Sequence, residues 1–341
     1  MVPAAGVRNG RVVNIVQVAK AIRLAVDMAE KSADVALPPV ILGVSGNHLA
    51  SRNIGGFVVI PHGVVTENDI NRLREVALPK LENRDKIIHV LPLEFDVDDT
   101  RSCLQNPVGM IGKKLSGDFH VITAAENHVD SLTSACRQAG VEIKGMAASS
   151  LAGVEAVLNP EEIEQGVLLV DCGCDVTDMA FCFQKNVFRI DGLDYGLGRA
   201  EKKIGQALCT PVKEVERILA GPYRRKSEKL QVKKYGPHGH HLVSRRAVTD
   251  LLRIELVAYL REIDGVIDRS MSRNILFMGA VLTGGGALMP EIRAIAELVL
   301  DMPVQVRGPQ RIVGKADNPD SPAWSTAIGL AMMGGSGRHA M

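Results

Sequence analysis

Hydrophobic positions along this chain follow helical spacing in some stretches and strand spacing in others. Asn14 can cap a helix whose apolar residues, from Ile15 to Ala29, recur every three or four positions. The continuous apolar run from Val167 to Val170 is typical of a strand buried on both faces. The pattern predicts an α/β protein, although no strand is predicted before the first helix.

Shorter runs predict a small α+β unit inserted between residues 40 and 121. Its strands are predicted at Val40 to Val44, Phe57 to Ile60, Ile87 to Leu91, Leu93 to Val97 and His120 to Thr123. Thr66 to Asp69 forms a capping box that opens a helix with Ile70, Leu73 and Val76 facing inward.

The α/β pattern then resumes and continues to the end of the chain. Met179 to Phe183 and Val187 to Ile190 predict hairpin neighbours of the strand that begins at Val167. Further helices are predicted at Glu126 to Ala139, Arg199 to Leu208, Val212 to Ala220, Ser244 to Arg269, and from Pro290 onward. A polar, basic stretch from Tyr223 to His241 separates two of them.

Composition narrows the classes of function. With 341 residues, of which 46% are hydrophobic, the chain can bury two cores. Its 40 Lys and Arg against 39 Asp and Glu give no long-range field, so we expect no nucleic-acid partner. The sequence shows no apolar run of membrane-spanning length and no signal-peptide core, and its six scattered cysteines form no CxxC pair. We therefore expect a soluble, cytoplasmic protein with reduced thiols.

The turn from Asp171 to Asp178 directly follows a buried strand and carries the first candidate chemistry. An aspartate at the strand end, a glycine that permits a close turn, and then Thr177 and Asp178 are residues that can cradle phosphates and hold hydrated Mg²⁺. An ordinary polar hairpin turn is the alternative interpretation.

A second strand ends at three glycines, Gly284, Gly285 and Gly286. Without Cβ atoms, they let a flat base or ribose lie against the backbone, and the helix start after them offers N–H groups to an anion. A glycine triplet alone is weak evidence, and its value lies in the pairing with the first turn.

Together the two turns resemble the phosphate and adenosine loops of the actin, Hsp70 and sugar kinase superfamily. Within it, the chain is most similar to the cell division family FtsA. The matching stretches are Gly10 to Ala29, Gly43 to His48, His89 to Pro92, Asn106 to Met110, Thr210 to Arg217, Ser244 to Ala247 and Val281 to Gly285. Two of them, Gly43 to His48 and Asn106 to Met110, are the most specific because they fall in the inserted subdomain typical of FtsA.

The resemblance implies an actin-like ATPase fold of two lobes with the nucleotide between them. The first-lobe core would comprise residues 1–39 and 122–164, the inserted subdomain 40–121, the second-lobe core 165–198 and 270–335, and its outer subdomain 199–269. ATP and Mg²⁺ are the implied cofactors. By position, the phosphates and magnesium would face Asp171, Gly173, Thr177 and Asp178, with Asp171 and Asp178 as metal ligands; the ribose would face Glu216, and the adenosine Gly284, Gly285 and Gly286.

The same resemblance implies partners and a place in the cell. FtsA-like proteins would bind the tubulin-like protein FtsZ through the outer subdomain of the second lobe, associate with themselves and with other division proteins, and work at the inner face of the cell membrane.

Both ends of the chain depart from the family pattern. The strands and phosphate loop expected before Gly10 and the C-terminal membrane-binding helix have no counterpart here, so we expect either a truncated product or a divergent relative.

The site itself also departs from the family pattern. The family turn reads D-x-G-G-G-T-T-D, whereas Cys174, Asp175 and Val176 stand at its centre here, and Asp175 adds a negative charge beside the phosphates. Ser149 and Ser150 replace the Glu-Pro pair whose glutamate orients water in some relatives, and Leu219 replaces a lysine. We predict no catalytic residue and at most weak ATPase activity.

The sequence thus supports functions from two different classes. The first is an ATP-binding FtsA-like division scaffold; the alternatives are another actin-like scaffold of the PilM type or an active ATPase or kinase of the superfamily. Other features have plain interpretations beside functional ones. The histidine group is interpreted either as a metal cluster or as solvent-exposed side chains: His238, His240 and His241. The basic group is interpreted either as a surface for an acidic partner or as a solvated loop: Arg224, Arg225, Lys226, Lys233 and Lys234.

Overall fold

The computed structural model describes residues 2–78, 85–100, 103–221, 229–235, 239–310 and 320–336. In the first half of the chain the elements are β1 (Val7–Arg8), β2 (Arg11–Val12), α1 (Ile15–Ala33), β3 (Val40–Val44), β4 (Leu49–Val59), α2 (Glu67–Ala77), β5 (Asp85–Val97), β6 (Lys114–Ala125), α3 (Glu126–Gln138), β7 (Ile143–Ala148) and α4 (Ser149–Val157).

The second half contains α5 (Pro160–Gln165), β8 (Val167–Cys172), β9 (Thr177–Phe183), β10 (Asn186–Leu193), α6 (Gly198–Ala207), α7 (Val212–Ala220), β11 (Lys229–Lys233), β12 (His240–Ser244), α8 (Arg245–Ser270), β13 (Ala280–Thr283), α9 (Ile292–Leu300), β14 (Val304–Val306) and α10 (Ser325–Ser336). Single 3₁₀ turns cover Arg273–Ile275, Gly285–Leu288 and Pro322–Trp324.

A five-stranded sheet in the order β10-β9-β8-β13-β14 organises the second lobe. β8, β13 and β14 run parallel, whereas β9 and β10 are antiparallel, as the hairpin pattern predicts. Residues such as Leu168 and Phe181 face a core built with α6 to α9, and their neighbours Leu169 and Ala180 face a second core shared with α4. Burial on both faces explains the continuous apolar run.

The inserted unit is an antiparallel sheet in the order β4-β6-β5 that packs α2 against one face. Thr66 and Asp69 form the predicted capping box, and Leu73 is fully buried against the sheet. Val76 is 64% exposed, so its predicted inward position is wrong. The runs around Pro92 form one edge strand, because register shifts at residues 87–89 and 92–94 accommodate them within β5.

The strand β3 pairs in parallel with β7 and not with the inserted sheet. A start of the inserted unit at residue 40 therefore does not fit the pairing, which places its first strand at Leu49.

The expectation that no strand precedes the first helix is also wrong: β1 and β2 form a hairpin around Asn9 and Gly10, both with positive φ. Each strand has two residues, too few to show a period. The predicted Asn14 cap of α1 is confirmed.

The structure differs from the sequence predictions at two further places in the second lobe. The helix expected at Pro290 begins at Ile292, after Glu291 in the left-handed region. The hairpin β11–β12 begins within the basic stretch and continues beyond it to Ser244. Arg224, Arg225, Lys226 and His238 lie outside the described residues.

Helix α10 connects the two lobes. It begins beside the ends of β8 and β13. Its later turns pack against α4, β3 and β7 of the first lobe. A Cβ at Gly329 would lie 1.8 Å from the Ala152 carbonyl oxygen, so only glycine allows this approach. Leu330 covers Gly43, and Met333 packs on Ala147 and Ala152. In the described part of the chain, neither this helix nor any other is long and apolar enough to cross a membrane.

Buried histidines lie where the inserted sheet meets the rest of the protein. The backbone N–H of Ala148 donates to Nε2 of His89, and Nδ1 of His120 lies 2.6 Å from Oδ1 of Asn53. Burial lowers the pKa of each imidazole to about 4, and the neighbouring His89 adds to the effect on His120. Both rings are therefore neutral in the folded protein near pH 7.

We expect this interface to make the protein acid-sensitive. Between the unfolded pKa near 6.5 and the folded value near 4, the unfolded chain binds more protons, so stability falls as pH decreases through that window. At pH 5, the protonation of His89 in the unfolded chain lowers the free energy of unfolding by about 2 kcal/mol relative to pH 7.5. His89→Gln keeps an acceptor but does not titrate, and should remove about that much of the pH dependence in urea unfolding. The exposed His62→Gln is the control, and an unchanged slope for His89→Gln would contradict the assignment.

Candidate functional site

The two glycine-bearing turns meet at one edge of the five-stranded sheet. Thr283 of β13 pairs with Asp171 of β8, so the segments after both strands leave from the same edge. Gly284 has φ +82°, and a Cβ there would lie 2.2 Å from Oδ1 of Asp171. A Cβ at Gly286 would lie 2.8 Å from the Cys172 carbonyl oxygen. The close approach therefore requires glycine at both positions.

Gly285 differs from its two neighbours. A Cβ at this position would meet no atom within 4 Å, so the backbone faces open space. The structure thus brings Asp171, Gly284 and Gly286 together and leaves a bare peptide surface at Gly285. This is the surface that the sequence predicts for a flat base or ribose.

Asp171 and Asp178 face each other across the β8–β9 pair. Oδ1 of Asp178 accepts a 2.9 Å hydrogen bond from the Gly46 N–H. Burial raises the pKa of Asp178 to about 7; the Gly46 hydrogen bond opposes this rise and the Asp171 charge adds to it. Burial also raises the pKa of Asp171, against the opposing hydrogen bond from Thr326. A cation between the carboxylates would relieve both effects.

The described residues contain no group of three or more His, Cys, Asp or Glu side chains arranged to hold a metal. His240 and His241 thus belong to no such group. Mg²⁺, however, is usually bound by one or two carboxylates together with water and substrate phosphates. The pair Asp171 and Asp178 fits that role only in the presence of a phosphate ligand.

The first turn is closed by its own hydrogen bonds. The Gly173 N–H donates to the Val176 carbonyl at 3.0 Å, and the Gly173 carbonyl accepts from the Leu197 N–H at 3.0 Å. A Cβ at Gly173 would lie 2.5 Å from the Val176 oxygen. Gly173 therefore shapes the turn, and its own N–H is already engaged.

The sequence predicts a phosphate contact for Thr177, whereas its side chain points away from the turn in this structure. The residue is fully buried, and its hydroxyl bonds the Tyr195 carbonyl at 2.7 Å and the Tyr259 hydroxyl at 2.8 Å. The reason is the two-residue period of β9, since Asp178 faces the first lobe and Thr177 therefore faces the opposite core.

Glu216 lies on α7 near Glu201 of α6. Burial, together with the Glu216 charge, raises the pKa of Glu201 to about 6. Nζ of Lys202 lies 3.7 Å from Oδ1 of Asp175, so a cation partly offsets the extra charge in the turn. Burial raises the pKa of Cys172 to about 12, which fits the expected inert thiol.

Three residues at the site were not predicted from the sequence to belong to it. Gly46 donates to Asp178, and Thr326 donates to Asp171 with an Oγ1–Oδ2 distance of 2.5 Å. Lys202 faces Asp175. Gly46 comes just after a strand end, the pattern that marks the other two turns, and this signal could have identified it. Thr326 carries no comparable local signal.

Two family models match separate parts of the chain. The model of the SHS2 domain inserted in FtsA matches residues 46–123, and the model of cell division protein FtsA matches residues 168–329. The chain is 32% identical to cell division protein FtsA of Neisseria meningitidis over 96% of this chain and 81% of the relative. Identity to FtsA of Escherichia coli K12 is 27%, over 97% of this chain and 82% of the relative.

Solved structures agree on the fold. A PilM-PilN type IV pilus biogenesis complex gives a TM-score of 0.65 at 16% identity, over 97% of this chain and 89% of that chain. The ethanolamine utilization protein EutJ from Carboxydothermus hydrogenoformans gives 0.51 at 13% identity, over 96% of this chain and 78% of that chain. The predicted actin-like fold is confirmed.

The packing at the glycine triplet predicts contrasting effects of two neighbouring substitutions. Gly284→Ala places a Cβ against Asp171 at positive φ and should lower the free energy of unfolding by about 2–4 kcal/mol. Gly285→Ala meets open space and should change it by less than about 1 kcal/mol. Urea unfolding measures both, and equal destabilisation by the two changes would contradict the described contact.

Proposed function

Because the chain belongs to the FtsA family of cell division proteins, we propose that it is a division scaffold that binds ATP with Mg²⁺ and links FtsZ to the division machinery. It is an actin-like protein of cell division at the coarser level that its relatives establish. Nucleotide binding, the FtsZ link and weak or absent hydrolysis are the parts we propose.

The observation that carries nucleotide binding is the open peptide surface at Gly285 beside the half-buried carboxylate of Asp171 and the buried carboxylate of Asp178. Gly284, Gly285 and Gly286 would hold the adenosine, Glu216 the ribose, and the turn at Gly173 the phosphates. Asp171 and Asp178 would hold Mg²⁺, which supplies the positive charge that phosphates and carboxylates need in order to lie together. Thr177 has no part in this arrangement.

Charge makes the site dependent on the metal. Asp171, Asp175 and Asp178 all lie in or beside the phosphate turn, and Lys202 offsets only Asp175. Without a divalent cation, phosphates would face uncompensated carboxylates. We therefore propose that ATP binds appreciably only as its magnesium complex.

Hydrolysis is weak or absent in this proposal. Ser149 is 6% exposed at the start of α4, where some relatives of the superfamily carry a glutamate. A serine hydroxyl is a poor general base near neutral pH. An active ATPase or kinase is the alternative from another class, and it requires a carboxylate that Ser149 does not supply.

ATP should bind with micromolar affinity or weaker in magnesium, and at least about tenfold more weakly in EDTA. Gly285→Val fills the open surface and should weaken binding about tenfold, because a base can no longer approach the backbone. Gly335→Val, also in open space but at the far end of α10, is the control. Calorimetry measures affinity, and phosphate release should stay near the protein-free background.

Either of two results would contradict this part of the proposal. Equal affinity of wild type and Gly285→Val would place the nucleotide elsewhere. Rapid magnesium-dependent phosphate release would favour the enzyme alternative.

The proposed FtsZ site is the outer part of the second lobe, residues 199–269. Its hairpin β11–β12 exposes Lys233, Lys234 and Leu242, which offers charge and apolar area to a peptide. The inserted unit exposes apolar residues suited to self-association: Phe57, Val59, Val64, Met110 and Ile111. Attachment through such partners would place the protein at the inner face of the membrane at the division site.

FtsZ tail peptide should bind the folded protein, and the double change Lys233→Glu and Lys234→Glu should weaken binding about tenfold at low salt. Lys20→Glu with Lys31→Glu, on the exposed side of α1, provides a charge-matched control. Fluorescence anisotropy of labelled peptide measures both. If the wild type shows no detectable binding, the FtsZ link is excluded, and a PilM-type scaffold becomes the leading alternative.

A further inference from the structure

Thr326 makes a directed polar contact with the candidate metal ligand Asp171. The Thr326 hydroxyl donates to Oδ2 of Asp171 at 2.5 Å, while Oδ1 of the same carboxylate rests against Gly284. Between them, the two contacts fix both oxygens of a carboxylate at the edge where β8 and β13 end. A short hydrogen bond to a carboxylate is stronger than one between neutral groups.

The helix that carries Thr326 is held independently of this bond. Ser325 and Thr283 hydroxyls lie 2.6 Å apart, and the Gly284 N–H donates to the Pro322 carbonyl at 3.1 Å. Further along, Gly329 sits against Ala152 of the first lobe. The backbone of Thr326 is therefore preorganised by packing on both sides, and its hydroxyl is not required to attach α10.

We propose that Thr326 is a positioning residue: its hydroxyl holds the Asp171 carboxylate in the orientation that faces Mg²⁺ bound with the nucleotide phosphates. This inference rests on the proposed nucleotide site. Because α10 packs against the first lobe, Thr326 also ties the orientation of a second-lobe carboxylate to the position of the first lobe.

A purely structural role would leave a different signature. If the hydroxyl only satisfied a buried carboxylate, its loss would lower stability and weaken every form of nucleotide alike. A positioning role acts through the cation, so its loss weakens binding in magnesium and leaves binding in EDTA unchanged. The ratio of the two affinities separates the roles.

The test compares Thr326→Val, which keeps the branched shape, with Thr326→Ser, which keeps the hydroxyl. Thr133→Val is the control, because the Thr133 hydroxyl bonds the Val129 carbonyl within α3 and has no contact with the candidate site among the described residues. A fluorescent ATP analogue is titrated in magnesium and in EDTA. For Thr326→Val we expect about tenfold weaker binding in magnesium and less than about twofold change in EDTA. Thr326→Ser and Thr133→Val should match wild type within about threefold.

Equal weakening of Thr326→Val in both buffers would overturn the proposal, as would failure of Thr326→Ser to restore binding. If the wild type binds no nucleotide in either buffer, the proposed nucleotide site fails, and crystal structures of wild type and Thr326→Val then decide the positioning role separately. An Asp171 side chain that turns away in Thr326→Val supports it. An unchanged Asp171 rotamer without the hydroxyl overturns it.

Discussion

In the five-stranded sheet, β8 and β13 lie side by side and run in the same direction, so both deliver their subsequent turns to one edge. Parallel neighbours always place their carboxyl ends together, and open α/β sheets use that edge for ligands. Here the approach is closer than a residue with a Cβ would allow, because Gly284 lies against Asp171 and Gly286 against Cys172. The rest of the site, including the exposed peptide at Gly285, depends on that contact.

The carboxylates of Asp171 and Asp178 lie together at the same edge, where they are partly shielded from water. Asp178 is only partly ionised at pH 7 in the absence of a ligand, since its pKa is about 7. The Gly46 N–H occupies one of its oxygens, and Thr326 occupies one of Asp171. Each carboxylate thus has one protein donor, and its remaining lone pairs are the positions at which a cation would bind.

Local signals predicted the elements around the site well. The buried run at Val167, the Asn14 cap and the capping box at Thr66 all depend on short-range chemistry, and the structure contains each of them. The orientation of Thr177 is predictable from the sequence, because consecutive residues of a strand face opposite sides, so the side chains of Thr177 and Asp178 point in opposite directions. Val76 was ambiguous, since helical spacing alone does not show how wide a stripe the partner sheet covers.

Contacts between distant segments could not be predicted from the sequence. Thr326 lies 155 residues from Asp171, and Gly46 lies 132 residues from Asp178. Spacing along the chain carries no information about such pairs, which depend on how two lobes and a crossing helix assemble. The pairing of β3 with β7 was missed for the same reason.

Helix α10 has a consequence for how the molecule can be divided. The first lobe is not a continuous piece of chain, because α10 covers Gly43, Ala147 and Ala152 from a position near the end of the sequence. A fragment that stops before Ser325 would leave this apolar surface facing water, and a fragment that begins at the second lobe would carry an uncovered helix. Cutting between the lobes therefore divides one of the hydrophobic cores, so neither lobe carries a complete core by itself.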